Sequence, residues 1–266
     1  MDLELQGKRA IVTGGSRGIG KSIARALAAE GVDVAIVGRD RATLDLTAAE
    51  ISEATGRKIV PIVADTGKDE DVRQMAAQAR EALGGVDILV TCAAQAGGHA
   101  PVPKLNEITD EVFWGDVNIK VMGYLRCARE VAPLLVENGW GRIVMISGLA
   151  ARRSGSIVGS IRNVGVAALA KNLADELGPR GVTVNCVHPG VTMTEKLPGA
   201  WEAQAAARGQ SVDEVARRAV AQTTIGRVVD AREVADVVAF LCSPKSIAIN
   251  GESIGAGGGS PGPIFY

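Results

Sequence analysis

The sequence predicts an α/β fold, a single doubly wound parallel sheet with helices on both faces. Two observations carry this. Short apolar runs of strand length alternate with helical stretches from the first residues to the last. No linker or repeat interrupts them, so residues 1–266 read as one domain. A hydrophobic fraction of 47% supplies a sizeable core.

The first strand is Ala10–Val12, followed at once by Thr13-Gly14-Gly15-Ser16-Arg17-Gly18-Ile19-Gly20. A helical pattern then runs from Lys21 to about Glu30, with Ile23, Ala24, Leu27 and Ala28 on one face. In this strand–turn–helix setting, glycines let the chain turn tightly and let a pyrophosphate approach the main chain. The helix N-terminus offers that anion free N–H groups and a partial positive charge.

Val32–Val37 reads as the second strand, ending at Gly38-Arg39, and a polar helix follows from about Ala42 to Thr55. Ile59–Val63 is the third strand, with Asp65 beyond it and a helix over Glu70–Leu83. The fourth strand starts at Ile88–Val90 and ends in Thr91-Cys92-Ala93-Ala94. Val112–Val136 is long and helical, with Pro133 near its end; Arg142–Ser147 is the fifth strand. Gly159–Leu177 is a helix, Thr183–Val187 a strand, Val234–Leu241 a helix and Glu252–Ile254 a last strand. The irregular part is roughly 195–224, which holds Trp201 and a helical stretch. Its place after a strand end suits a lid over a ligand.

The formal net charge is −1, with no basic block, so nucleic-acid and acidic-membrane binding have no support. Cys92, Cys127, Cys186 and Cys242 are far apart, and the two histidines do not cluster with them; neither a disulfide framework nor a metal site is expected. MDLELQGKR lacks a signal pattern and no apolar run reaches membrane-spanning length, so a cytoplasmic protein is expected.

Over nearly its whole length the chain resembles the short-chain dehydrogenase/reductase family. The motifs are Thr13-Gly14-xxx-Gly18-x-Gly20, Asp65, Asn185-x-Val187-x-Pro189-Gly190 with Thr194, Gly226-Arg227 before Glu233-Val234-Ala235, and Ile249-Asn250-Gly251 before Gly257-Gly258. The resemblance implies a Rossmann-type nucleotide cradle at Gly14, Ser16, Arg17, Gly18, Ile19 and Gly20, with Ala93 beside it. It implies that Asp65 meets the adenine amino group, and that Pro189, Gly190 and Thr194 meet the nicotinamide carboxamide. The plainer roles for Asp65 and Thr194 are a strand-end turn residue and a helix cap.

In the family an acidic residue at the end of the second strand binds the ribose 2′-hydroxyl and selects NAD. Here Gly38-Arg39 stands there, and Asp40 falls too late. Arg39 and Arg17 together favour a 2′-phosphate, which puts NADP(H) ahead of NAD(H). Two solvated surface arginines are the plainer reading.

The family's chemistry rests on an asparagine, a serine, a tyrosine and a lysine. Matching the flanking motifs puts Lys120 at the asparagine position, Gly148 at the serine, Gly159 at the tyrosine and Asn163 at the lysine. Asn118 misses by two residues, which on a helix turns it to another face. Lysine and asparagine have thus exchanged places. Lys120 and Asn163 are expected to face each other across the site, Lys120 holding the ribose or donating a proton. The competing reading is a solvated or structural lysine and a helix-surface amide. Tyr124 shares a helix face with Lys120; His99, in the loop after the fourth strand, is the best-placed titratable group by pKa.

The expected activity is an NADP(H)-dependent oxidoreductase with a non-standard proton path, acting on a small molecule. The alternatives are a catalytically silent NADP(H)-binding protein and a lyase or isomerase on the same scaffold. By the family's habit the chain associates through its two long helices as a dimer or tetramer, with Gly159, Gly165, Ala167 and Ala168 allowing close approach.

Overall fold

The computed structural model describes residues 1–94 and 102–262. One of the expected groups, His99, lies outside the described residues.

Seven parallel strands form one sheet. In chain order they include β1 (Arg9–Thr13), β2 (Asp33–Gly38), β3 (Ile59–Val63), β4 (Ile88–Thr91), β5 (Gly141–Ile146) and β6 (Val182–Pro189). Two short strands, β7 (Thr192–Met193) and β8 (Val229–Asp230), pair with each other outside the sheet, and β9 (Ser253–Ala256) closes its edge. The order across the sheet is β3-β2-β1-β4-β5-β6-β9. Sequence order therefore reverses between β1 and β4, and a ligand crevice opens outside the carboxyl ends of strands at such a point.

Helices α1 (Gly18–Ala29), α2 (Arg41–Thr55), α3 (Asp69–Leu83), α4 (Asp110–Val117), α5 (Gly123–Glu137) and α6 (Ile157–Leu177) are followed by α7 (Leu197–Arg208), α8 (Val212–Val220) and α9 (Ala231–Cys242). Strand residues alternate between the two faces. Ile11, Leu89, Ile143 and Met145 join α3, α5 and α6 in one core, while Val12, Val90, Val144 and Ile146 join α1, α2 and α9 in the other. Both faces are covered, which is why the strands read as unbroken apolar runs. No helix among the described residues is long and apolar enough to cross a membrane.

The strands and helices fall where the apolar periodicity puts them, with three informative differences. First, α1 begins at Gly18 rather than Lys21, because the glycine turn feeds straight into helical backbone. Second, the long helix expected over 112–136 is two helices joined by a π turn, Asn118–Met122. Third, segment 195–224 is α7 and α8, framed by the β7–β8 pair; two-residue strands carry no legible alternation. Ser211 opens α8 with a capping box, accepting from Glu214 N while Glu214 returns a bond to Ser211 N.

The turn after β1 is fixed by crowding. A Cβ on Gly20 would lie 2.2 Å from the carbonyl oxygen of Gly14, with Gly15 Cα at 3.3 Å behind it. These are backbone atoms, which cannot rotate away as a side chain does. Gly20→Ala is expected to cost about 1–3 kcal/mol or more, seen as a lowered chemical-denaturation midpoint at unchanged m-value. An unchanged midpoint would mean the turn relaxes freely.

Candidate active site

At the β1–β4 boundary the two strand-end turns are held together. The buried hydroxyl of Thr13 accepts from Cys92 N at 3.2 Å and Ala93 N at 3.3 Å. A Cβ on Gly14, which has φ +68°, would sit 2.9 Å from Ala93 Cα, so glycine is required there twice over. Ala93 thus packs its backbone against the glycine turn.

The N-terminus of α1 has no side-chain cap of its own and no acidic residue in its first turn. Its Gly18 N–H is instead met from across the crevice by Glu195, whose carboxylate oxygens lie at 3.0 and 3.2 Å. The Glu195 carboxylate thus lies on the N–H where the sequence leads one to expect a pyrophosphate, a position that the helix dipole makes favourable for negative charge. The neighbouring Thr194 side chain also reaches the turn, its Cγ2 3.5 Å from a Cβ built on Gly18. Ser16 presents its carbonyl to the Thr47 hydroxyl at 3.0 Å, which ties the turn to α2; Ile19 packs into the α1–α2–α9 core.

Across the start of α2, the Arg17 guanidinium donates to Thr43 Oγ1 at 2.8 Å, and Arg39 is exposed just after β2. Asp40 is occupied as the N-cap of α2, accepting from Thr43 N at 2.7 Å. Hydrogen bonds from Thr43, with the Arg17 charge beyond, hold its carboxyl below the usual range. Asp65 accepts from Gly67 N at 2.9 Å, the geometry of a strand-end turn.

At the carboxyl ends of β4 and β5 lies a buried polar cluster. The π turn is its origin: a turn with one residue more than an α turn, of a kind frequent at functional sites. It sends Lys120 inward and Asn118 outward. Asn118 Nδ2 donates to Gly67 O at 3.2 Å, and its Oδ1 accepts from Arg126 Nη2 at 2.9 Å. Lys120 is 5% exposed and donates to the Ser147 carbonyl at 2.8 Å. Ser147 Oγ in turn donates to the carbonyl (2.9 Å) and the side-chain Oδ1 (3.2 Å) of Asn163. Asn163 Nδ2 donates to Gly159 O at 2.8 Å.

The pair therefore does not meet face to face. Ser147 joins Lys120 to Asn163, and both are buried, which removes the readings of a solvated lysine and a helix-surface amide. Ser147, one position before the glycine matched to the family serine, is the residue sequence reasoning passed over. Tyr124 has its ring in the core and its hydroxyl donates to Ile146 O at 2.9 Å. Gly148 packs beside the Asn163 amide: a Cβ there would lie 3.4 Å from Oδ1. Gly165, expected to serve a subunit interface, faces Val121 of its own chain, whose Cγ2 is 3.3 Å from the position a Cβ would take.

Burial sets the charges here. It holds the Lys120 amine at about 8 instead of 10.5; the nearby Arg162 charge adds to the effect, and Asp116 partly opposes it. Arg162 is itself paired with Asp116. Burial pushes the Cys92 thiol up to about 11 and Cys186 to about 12, so neither is a thiolate near neutrality. Burial also lowers the His188 imidazole, whose Nδ1 lies 3.1 Å from the Gly148 carbonyl, so that nitrogen carries the proton and donates. Among the described residues no group of three or more His, Cys, Asp or Glu side chains is arranged to hold a metal.

Comparison with known proteins fits this geometry. The family model described as enoyl-(acyl carrier protein) reductase matches residues 14–260. The chain belongs to the short-chain dehydrogenase/reductase family. Dehydrogenase/reductase SDR family member 4 of Oryctolagus cuniculus is 34% identical over 262 residues, covering 97% of this chain and 95% of the relative. The crystal structure of L-sorbose reductase from Gluconobacter frateurii, complexed with NADPH and L-sorbose, superposes with a TM-score of 0.93 at 25% identity, over 99% of this chain and 100% of the other. NAD+-bound xylitol dehydrogenase superposes with a TM-score of 0.88 at 25% identity, over 96% and 100%. Short-chain dehydrogenases/reductases are NAD(P)-dependent oxidoreductases, and the anion-accepting turn at Gly18 suits such a dinucleotide.

Two outcomes follow for this short-chain dehydrogenase/reductase. A phosphate arriving at Gly18 N–H would have to displace Glu195, so Glu195→Gln is expected to tighten nucleotide binding roughly three- to tenfold by calorimetry; an unchanged Kd would show that the carboxylate leaves without cost. Lys120, with its folded pKa depressed, binds fewer protons in the folded than in the unfolded chain between pH 8 and 10.5. Its burial thus costs stability below pH 8, and the cost fades as pH rises to 10.5. Lys120→Met should raise the melting temperature at pH 7, and by less at pH 10; a gain independent of pH would refute the depressed pKa.

Proposed function

We propose that this chain is an NADP(H)-dependent oxidoreductase whose proton donor is Lys120, acting on a carbonyl or conjugated C=C substrate. The single observation that carries the reading is the hydrogen-bonded series from Lys120 through Ser147 to Asn163, beside the ends of β4 and β5. It fills the place where the family keeps its catalytic side chains, with a buried amine whose pKa suits acid–base work near neutrality.

Bound NADPH supplies the hydride. Lys120 Nζ then gives its proton to the substrate oxygen or enolate and regains one from solvent. Asn163 is a positioning residue: its amide is spent on Gly159 O and Ser147 Oγ, and through Ser147 it fixes the carbonyl that aims the amine. His99 joins as a candidate on its sequence position alone. Pro189, Gly190 and Thr194 hold the nicotinamide end, and Asp65 the adenine end.

The preference for NADP(H) rests on Arg17 and Arg39 flanking the place of the adenosine ribose, with Asp40 committed to capping α2. NADPH in the L-sorbose reductase complex accords with this, whereas the xylitol dehydrogenase holds NAD+. Residues 1–266 act as one domain, with 195–224 as the lid. Exposed Trp114 on α4, with Val164 and Ala168 on α6, forms the apolar face through which copies associate as a dimer or tetramer. A cytoplasmic setting accords with four free cysteines.

The test is turnover of reduced cofactor over ketone and enone panels, with NADPH and NADH side by side. NADPH is expected to bind at least tenfold more tightly than NADH, and Arg17→Ala with Arg39→Ala should erase the difference. Activity should fall as pH rises through about 8, as the Lys120 amine loses its proton. Lys120→Met should lower kcat at least about 100-fold with nucleotide affinity kept. Full activity in Lys120→Met would end the proposal.

A further inference from the structure

Beside the start of α6 a cavity of about 650 Å³ opens between Val102–Leu105 and the run from Ala151 to Ile161. That volume is in the ordinary range for a small-molecule site, about 300–1,000 Å³. Its walls carry the aliphatic side chains of Val102, Leu105 and Ile157 and the cationic side chains of Lys104 and Arg153. No acidic residue is among the described lining. Neither cation takes part in an ion pair among the described residues. Arg153 donates only to a neutral amide, Gln222 Oε1 at 2.8 Å, and Gln222 lies in segment 195–224. Glu107 stands near Lys104 but binds its backbone N–H, at 2.7 Å, and does not line the cavity. The hydroxyls of Ser156 and Ser160 are engaged with Gly159 N and Arg153 O. Ser156, the N-cap of α6, accepts from Gly159 N–H, and Gly159 O accepts from Asn163, so a single residue links the cavity wall to the buried cluster.

We infer that this cavity is the substrate pocket and that it selects an aliphatic molecule bearing one oxyanion, a carboxylate or a phosphate ester. The inference deepens the oxidoreductase reading and rests on it for the place of the reacting end. Two cations without carboxylate partners in a concave, partly apolar wall set up a positive potential that attracts an anion. A guanidinium offers an oxyanion paired, charge-assisted hydrogen bonds that a neutral amide does not match, so the bond to Gln222 is readily exchanged. The aliphatic wall then gains by covering the body of the ligand. An alkylamine meets the same two charges as repulsion, and an alcohol finds the wall without the charge-assisted bonds.

The experiment is calorimetric titration of the full chain with octanoate, octyl phosphate, 1-octanol and octylamine, with and without NADP+. At least one anion should bind tenfold or more tightly than octanol, and octylamine should bind most weakly. The tighter anion identifies the head group. Lys104→Met with Arg153→Met should bring the anions down to the level of octanol, while an unchanged far-ultraviolet dichroism spectrum shows an intact fold. Octanol binding as well as both anions, or a double variant that keeps the preference, would overturn the inference. Failure of NADP+ to bind would count against the oxidoreductase reading alone, because the ligand series is also read without nucleotide.

Discussion

The constraint on which the rest depends is the contact between the turns that leave β1 and β4. One threonine oxygen takes two backbone N–H groups from the facing turn, and the glycine after it leaves no room for a side chain. The contact is short because parallel strands pair in register at this point, Thr13 opposite Thr91. Everything placed around it follows: α1 points its N-terminus into the crevice, and the cluster at the end of β5 lies one strand away. A sheet that reverses its order has one such boundary, and here the glycine turn lies at it with the buried polar cluster one strand further along.

The cluster itself is costly. An amine almost wholly out of water, held by a single carbonyl and close to another cation, is retained against its own solvation. Its neighbours share the load without a carboxylate touching it. The thiols of Cys92 and Cys186 are kept neutral by the same burial, and His188 is oriented by the Gly148 carbonyl. A fold concerned with stability alone is better served by an apolar residue in that place. Strain of this sort collects where chemistry is done.

The sheet and its helices were legible because both faces are covered and each strand is a run of apolar residues bounded by turn-forming ones. The glycine turn was legible because its spacing has a steric cause that local sequence carries. What lay between Lys120 and Asn163 was not. Register arguments gave the two positions, but the intervening Ser147 belongs to a third element, and its role appears only when β5 and α6 are packed. Glu195 was hidden for the same reason, since its partner Gly18 is far away in sequence. The β7–β8 pair was too short for periodicity to reveal, and the π turn leaves no compositional mark. At Gly165 a small residue admits Val121 of its own chain as readily as it would admit another subunit, so its presence alone does not mark an interface.

The π turn has one more consequence. A helix that carries a surplus residue can lose it and become regular, and a single deletion within Asn118–Met122 would swing the side chains on one flank by about 100° against the other. The amine now aimed inward would then point elsewhere, with no change to the sheet, the glycine cradle or the core. In a scaffold built this way, the identity of the group presented to the crevice is set by chain length as much as by residue type, and slippage of one codon triplet is enough to exchange it.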